Sequence, residues 1–164
     1  MKIKRSILAL FGAASIAAAS NFNYSDSGLA FSLPGDWKKL ERSTPDKLVF
    51  RHNTELFQVT VSVLNYKAET VEKKVFEKLL EDRINAEKRE LSPNDSITQS
   101  EIKQIEGGYS VEFSGFDSAH ERRFAGKLMM KSGLIVVVYL EGIKKSADEM
   151  SPITKVLFES LTIK

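Results

Sequence analysis

Residues 134–140 read Leu-Ile-Val-Val-Val-Tyr-Leu, seven apolar or aromatic positions with no polar face. A strand that alternates apolar and polar residues can leave one face in water. This one cannot, so it belongs at the centre of a sheet that is covered on both sides. The chain must therefore supply more strands and at least one further layer. Period-two alternation provides the strands. Leu29, Phe31 and Leu33 alternate until Pro34-Gly35-Asp36 turns the chain, and Trp37 restarts it as a core anchor through Glu41. Residues 47–51 form a short strand around Val49. Phe57, Val59, Val61 and Val63 share one face of the next strand, with Gln58, Thr60 and Ser62 on a partly solvated other face. Asn21 to Ser27, with Phe22 and Tyr24, reads as a first edge strand.

The period then changes. Val71, Val75, Phe76, Leu79, Leu80, Ile84 and Leu91 fall on one helical stripe over residues 70–91, with Thr70 as N-cap and Ser92-Pro93 as the stop. After it the chain is strand-dense. Residues 96–105, 109–113 and 121–130 precede the 134–140 strand, with a Gly107-Gly108 hairpin turn and a loop over residues 115–120. Ser151-Pro152 starts a final helix that buries Ile153, Val156, Leu157 and Leu161. The fold class is α+β: an antiparallel sheet flanked by helices, in a single domain over residues 20–164.

Residues 1–19 are set apart as a signal peptide. Lys2, Lys4 and Arg5 precede an uncharged run from Ser6 to Ala18, and Ala17-Ala18-Ala19 places small residues at a cleavage site after Ala19, with Ser20 as the alternative. The apolar run is short for a bilayer-spanning helix of about 20 residues, so a membrane anchor is disfavoured and no later segment spans either. Three of the 24 basic residues and none of the 22 acidic ones lie in this segment. The remaining 145 residues carry 21 basic against 22 acidic groups, a formal charge of −1. The overall positive charge thus gives no reason to expect nucleic acid as a partner. The sequence contains no cysteine, which excludes disulfides, thiolate metal sites and a lipid-anchoring cysteine. An exported domain of this size then folds by burial alone. The expected location is the periplasm or outside of a Gram-negative bacterium.

Chemistry-bearing residues are sparse. The chain has two histidines. His52 lies near Arg51 and Glu55, and Asp117, His120 and Glu121 share a loop that would hold a metal if it curled. Set against that, an exposed polar loop accounts for the same residues, and no metal, catalytic or cofactor residue is assigned. The P-loop, HExxH, GxSxG and EF-hand spacings are all missing, which argues against an enzyme. Arg122-Arg123, Lys127 and Lys131 form the densest basic cluster. In a strand, Arg123, Lys127 and Lys131 share a face opposite Arg122, as an anion-binding stripe or a charge-guarded edge. Phe22, Tyr24, Phe31, Trp37 and Tyr66 would line a ligand groove or, as strand aromatics usually do, the core.

Gly28-Leu29-Ala30-Phe31-Ser32-Leu33-Pro34-Gly35-Asp36-Trp37 resembles the strand, Leu-Pro, turn, Trp opening of the PsbP-like superfamily. Gly107-Gly108-Tyr109, the 134–140 strand and Val156-Leu157-Phe158-Glu159-Ser160-Leu161 are similar to its later landmarks. The resemblance implies an α/β/α sandwich, with the DcrB-like bacterial periplasmic branch fitting best. It implies no active-site residue and no cofactor. Three functions stay open: a non-catalytic accessory domain whose partner is another protein or an envelope component, a periplasmic immunity or chaperone-like protein that neutralises or escorts a toxin or effector, and a metal-binding protein.

Overall fold

The computed structural model describes residues 19–24, 28–66 and 72–163. In chain order the first half comprises β1 (Ala19–Tyr24), β2 (Leu29–Pro34), β3 (Trp37–Lys39), β4 (Lys47–His52), β5 (Phe57–Asn65) and α1 (Lys73–Lys88). The second comprises β6 (Ile97–Gln99), β7 (Lys103–Ile105), β8 (Gly108–Asp117), β9 (Arg122–Lys131), β10 (Leu134–Ile143), α2 (Ala147–Ser160) and β11 (Thr162–Ile163). The larger sheet runs β3-β4-β5-β10-β9-β8-β6, with β7 also paired to β8. A smaller sheet runs β1-β2-β11, and the strand pairs are antiparallel throughout. The segment expected to be a signal peptide, apart from the backbone of Ala19, lies outside the described residues.

β10 occupies the middle of the large sheet, between β5 and β9. Its alternate residues feed two cores. Ile135 and Tyr139 join Phe76, Leu80 and Ile84 of α1 with Val111, Phe113, Phe124, Leu128 and Met130. Val136, Val138 and Leu140 face the other way, onto Phe31 and Leu33 of β2 and Ile153, Leu157 and Phe158 of α2. The layers are therefore α1, the large sheet, and a composite layer of α2 with the small sheet. Each fully buried Leu, Val or Phe contributes about 1.5–3 kcal/mol by removal of apolar surface from water.

Several elements differ from the sequence expectation. α1 ends at Lys88, before Leu91, and Thr70 and Val71 lie outside the described residues. Residues 115–117 continue β8 instead of forming a loop. Gly115 serves there as a flat site beneath a ring: a Cβ at this position would lie 2.9 Å from Phe124 Cε1, across the strand pair. The actual turn is Ser118 to Glu121. α2 begins a full turn before Ser151-Pro152. Ser146 is its N-cap, its Oγ accepting from the Glu149 amide at 3.2 Å while Glu149 Oε2 accepts from the Ser146 amide at 2.8 Å. This capping box lets Pro152 sit inside the helix, where it forgoes one backbone bond. The β6–β7 segment is broken at Ser100, whose amide bonds the Glu112 carbonyl at 2.8 Å.

Candidate functional site

A groove of about 850 Å³ opens between α2 and the β6–β8–β9 end of the large sheet. It exists because α2 lies across β2 and meets β9 but leaves β8 and β6 uncovered on that face. Strand alternation fixes its floor: Glu112, Ser114 and Phe116 of β8 stand opposite Lys127, Ala125 and Arg123 of β9. Met150, Thr154 and Phe158 of α2 form one wall, with Lys155. Thr98 and Lys103 form the other lip.

The groove is rich in cations that lack carboxylate partners. Lys127 is the exception. Its side chain is 14% exposed, its Nζ donates to the Phe158 carbonyl at 2.9 Å, and Glu112 Oε1 lies 3.4 Å away. It thereby satisfies a carbonyl in the last turn of α2, a helix end that has no basic residue of its own. Arg123 lays its guanidinium over the Phe116 ring at 4.4 Å. Among the described residues, Arg123, Lys103 and Lys155 have no acidic group within ion-pair distance, and Glu159, the second carboxylate of the groove, has no basic one. Arg123, Lys127 and Lys131 lie on one face of β9 with Arg122 on the other, as the spacing predicts, but Lys131, at the strand's end, does not line the groove. However, β9 is an interior strand, so the stripe does not guard an edge.

Asp117, His120 and Glu121 are only partly brought together. His120 Nδ1 is 2.9 Å from Asp117 Oδ2, and Arg122 Nε lies 3.5 Å from the same oxygen. Burial pushes the Asp117 carboxyl up, but the bonds to His120 and the Arg122 charge outweigh it, leaving its pKa below the ordinary carboxylate value. Glu121 takes a left-handed backbone (φ 50°) and pairs outward with Lys144 at 3.7 Å. No cluster of three metal-ligating side chains forms among the described residues.

Arg122 leads into a buried network that the sequence did not reveal. Its Nη1 is 3.3 Å from Tyr139 Oη and 3.5 Å from Glu141 Oε2. Tyr139 donates to Glu87 Oε2 at 3.0 Å, and Arg83 pairs with the same carboxylate. Burial and then the adjacent Glu87 charge hold the Tyr139 phenol far above its usual pKa, so it remains a donor. The network joins α1 to the middle of the sheet and serves packing.

The other sequence candidates are structural too. His52 Nδ1 accepts from the Glu55 amide at 3.1 Å, and its ring meets Trp37 edge-on at 5.1 Å. Trp37 and Phe31 are core, and Phe22 packs against Phe31 and Phe50. Tyr66 packs at the opposite core. These aromatics form no common groove, and the side chain of Tyr24 lies outside what the structure describes.

Among the solved structures that match this arrangement are two that do so over most of its length. One is the cyanobacterial PsbP protein (CyanoP) of Synechocystis, at a TM-score of 0.62 and 15% identity, covering 93% of this chain and 96% of that one. The fold is PsbP-like. The other is LpqN of Mycobacterium tuberculosis, described as involved in cell envelope biogenesis, at a TM-score of 0.53 and 16% identity, covering 90% of this chain and 91% of that one. No protein-family model and no curated protein sequence matches the chain. At these identities the PsbP-like likeness establishes architecture and leaves chemistry to the residues.

Proposed function

We propose that this chain is an exported, non-catalytic accessory domain of the DcrB-like kind, which binds another protein or an envelope component through the groove beside α2. The observation that carries this reading is the contrast between the groove and the rest of the titratable groups. His52, His120, Asp117 and Glu87 are all engaged in bonds that hold the fold. Arg123, Lys103 and Lys155 line an open concavity with no acidic partner. The groove hydroxyls of Ser114, Thr98 and Thr154 have no histidine beside them, because neither of the chain's two histidines lines it. A serine or threonine without a base is a poor nucleophile, which supports binding over catalysis.

Residues 1–19 act as the export signal in this reading, and the mature chain starts at Ser20 or Asn21. The basic n-region and alanine-rich cleavage region support it, as does the envelope role stated for LpqN. No helix among the described residues is long and apolar enough to cross a membrane. The test is fractionation and in-cell crosslinking of the tagged full-length chain in a Gram-negative host. The expected result is a periplasmic protein of mature mass and a discrete crosslinked partner. Retention of the uncleaved chain in the cytoplasm, or recovery of monomer alone, overturns the proposal.

A further inference from the structure

Building on the accessory-domain reading, we infer that the groove receives an extended acidic peptide segment of a partner protein, with its carboxylates on Lys103, Arg123 and Lys155 and its apolar side chains against Phe116, Met150 and Phe158. The pairing register sets the spacing of the cations. Lys103 lies opposite Ser110, Lys127 opposite Glu112, and Arg123 opposite Phe116. These positions span six residues of β8, roughly 20 Å at about 3.3 Å per residue. One phosphate or carboxylate cannot bridge that distance, so the complementary ligand carries several negative charges along an elongated chain.

The remaining lining decides what kind of chain. Glu112 and Glu159 interrupt the positive surface, so a polymer charged at every unit meets repulsion at two places. Between the cations lie Phe116, half-buried under Arg123, and the buried Met150 and Phe158. A peptide that alternates acidic with apolar residues satisfies both features. The charge on Lys127 is recessed on the floor beneath α2, 14% exposed, where a flat lipid surface does not reach. Ser114 and Thr98, whose hydroxyls lie 3.0 Å apart, add groups that can bond a backbone.

The probe is a random peptide library of about 12 residues displayed on phage, selected against the mature protein and against the exposed-site double variant Lys103→Glu/Lys155→Glu. Selected sequences are then synthesised, and their Kd is measured by fluorescence anisotropy at low and moderate salt. The expected result is enrichment of peptides with two or more Asp or Glu separated by apolar residues. Their binding should weaken about tenfold or more in the double variant and fall as salt rises. Arg123→Gln gives a second variant at the far end of the groove. Circular dichroism and the thermal midpoint of each variant establish that it is folded. Selection without acidic enrichment overturns the inference, and so does unchanged affinity in both folded variants. So does preferential binding of heparin or anionic phosphatidylglycerol vesicles with no acidic peptide selected. A crosslinked envelope partner that survives these substitutions leaves the accessory reading standing and removes the groove from it.

Discussion

Gly126→Ala is a severe perturbation for so small a change, and the structure gives its size. Gly126 of β9 stands opposite Phe113 of β8, while Gly115 of β8 stands opposite Phe124 of β9. Each ring folds over the other strand's glycine. A methyl group at 126 would lie 2.6 and 2.7 Å from the Cε2 and Cε1 atoms of Phe113. Ordinary carbon contacts are about 3.5–4.0 Å, so the ring must retreat by about 1 Å. It has nowhere to go, because Phe113 is 3% exposed and lies in the core under α1. Overpacking of this kind costs about 1–3 kcal/mol, offset by about 0.5–1 kcal/mol from the lower flexibility of alanine. Contacts this short in a filled core place the strain in the upper half of that range, so the net loss is about 1–2 kcal/mol. For a domain near 150 residues that corresponds to a thermal midpoint lowered by about 2–8 °C. Urea unfolding should show the midpoint shifted at constant slope. Phe113→Ala alone should lose about 3–5 kcal/mol. Combined with Gly126→Ala, the new methyl enters the vacated space, so the double variant should be about 1–2 kcal/mol more stable than the sum of the singles. Strict additivity, or a Gly126→Ala protein within about 0.5 kcal/mol of the parent, would refute the interlocked-ring reasoning.

Tyr139→Phe keeps the stack on Phe124 but removes the bond to Glu87, and should lose about 1.5–3 kcal/mol by denaturant unfolding. Ser146→Ala should lose about 1 kcal/mol by removing half of the α2 capping box, read as a lower thermal midpoint. Glu149 is the pH-sensitive half of that box. Its backbone bond to Ser146 and then its Lys145 contact lower its pKa from 4.5 to about 2. A depressed carboxylate stabilises fully above its unfolded pKa and ceases to do so as pH falls through the folded one. The thermal midpoint should therefore drop between about pH 4.5 and 2, and the drop should be smaller in Glu149→Gln; equal drops in both proteins would contradict the assignment. Lys127→Met removes the donor to the Phe158 carbonyl and the ion-pair partner of the partly exposed Glu112. Faster amide exchange in the last turn of α2, with about 1 kcal/mol lost overall, is the expected outcome.

The strands were legible wherever one face is buried, because the backbone then forces a strict period of two. Phe57, Val59, Val61 and Val63 all lie in one core, and the doubly apolar 134–140 segment took the centre of the sheet. Glycine and serine were harder to read. Gly115 has the same letter whether it turns the chain or flattens a strand under a phenylalanine, and only the register with β9 distinguishes the two. Ser146-x-x-Glu149 is a capping box in plain view, yet Ser151-Pro152 offered a competing start of similar local merit. The groove itself was not legible at all. The alternation placed Arg123 and Lys127 on one face, but whether that face meets a helix, water or another sheet depends on where α2 crosses the sheet. Asp117, His120 and Glu121 stand together in the sequence as a candidate metal set; in the structure His120 bonds Asp117, while the left-handed backbone of Glu121 accompanies a pairing with Lys144 instead.

The bond from the Ser32 amide to Ser160 Oγ spans 128 positions in the sequence. With the β2–β11 pairing, it makes one of the earliest strands depend on the last described residues for a neighbour and for half of its core. During synthesis, then, β2 waits for residues 147–163 to be made. Until residues 147–163 arrive, Leu29, Phe31 and Leu33 have no completed surface to pack on, and the chain stays open on that side. Loop closure over such a distance is slow compared with forming a hairpin. A protein built this way completes one face of its core only when α2 and β11 arrive, so the assembly of that face is timed by them.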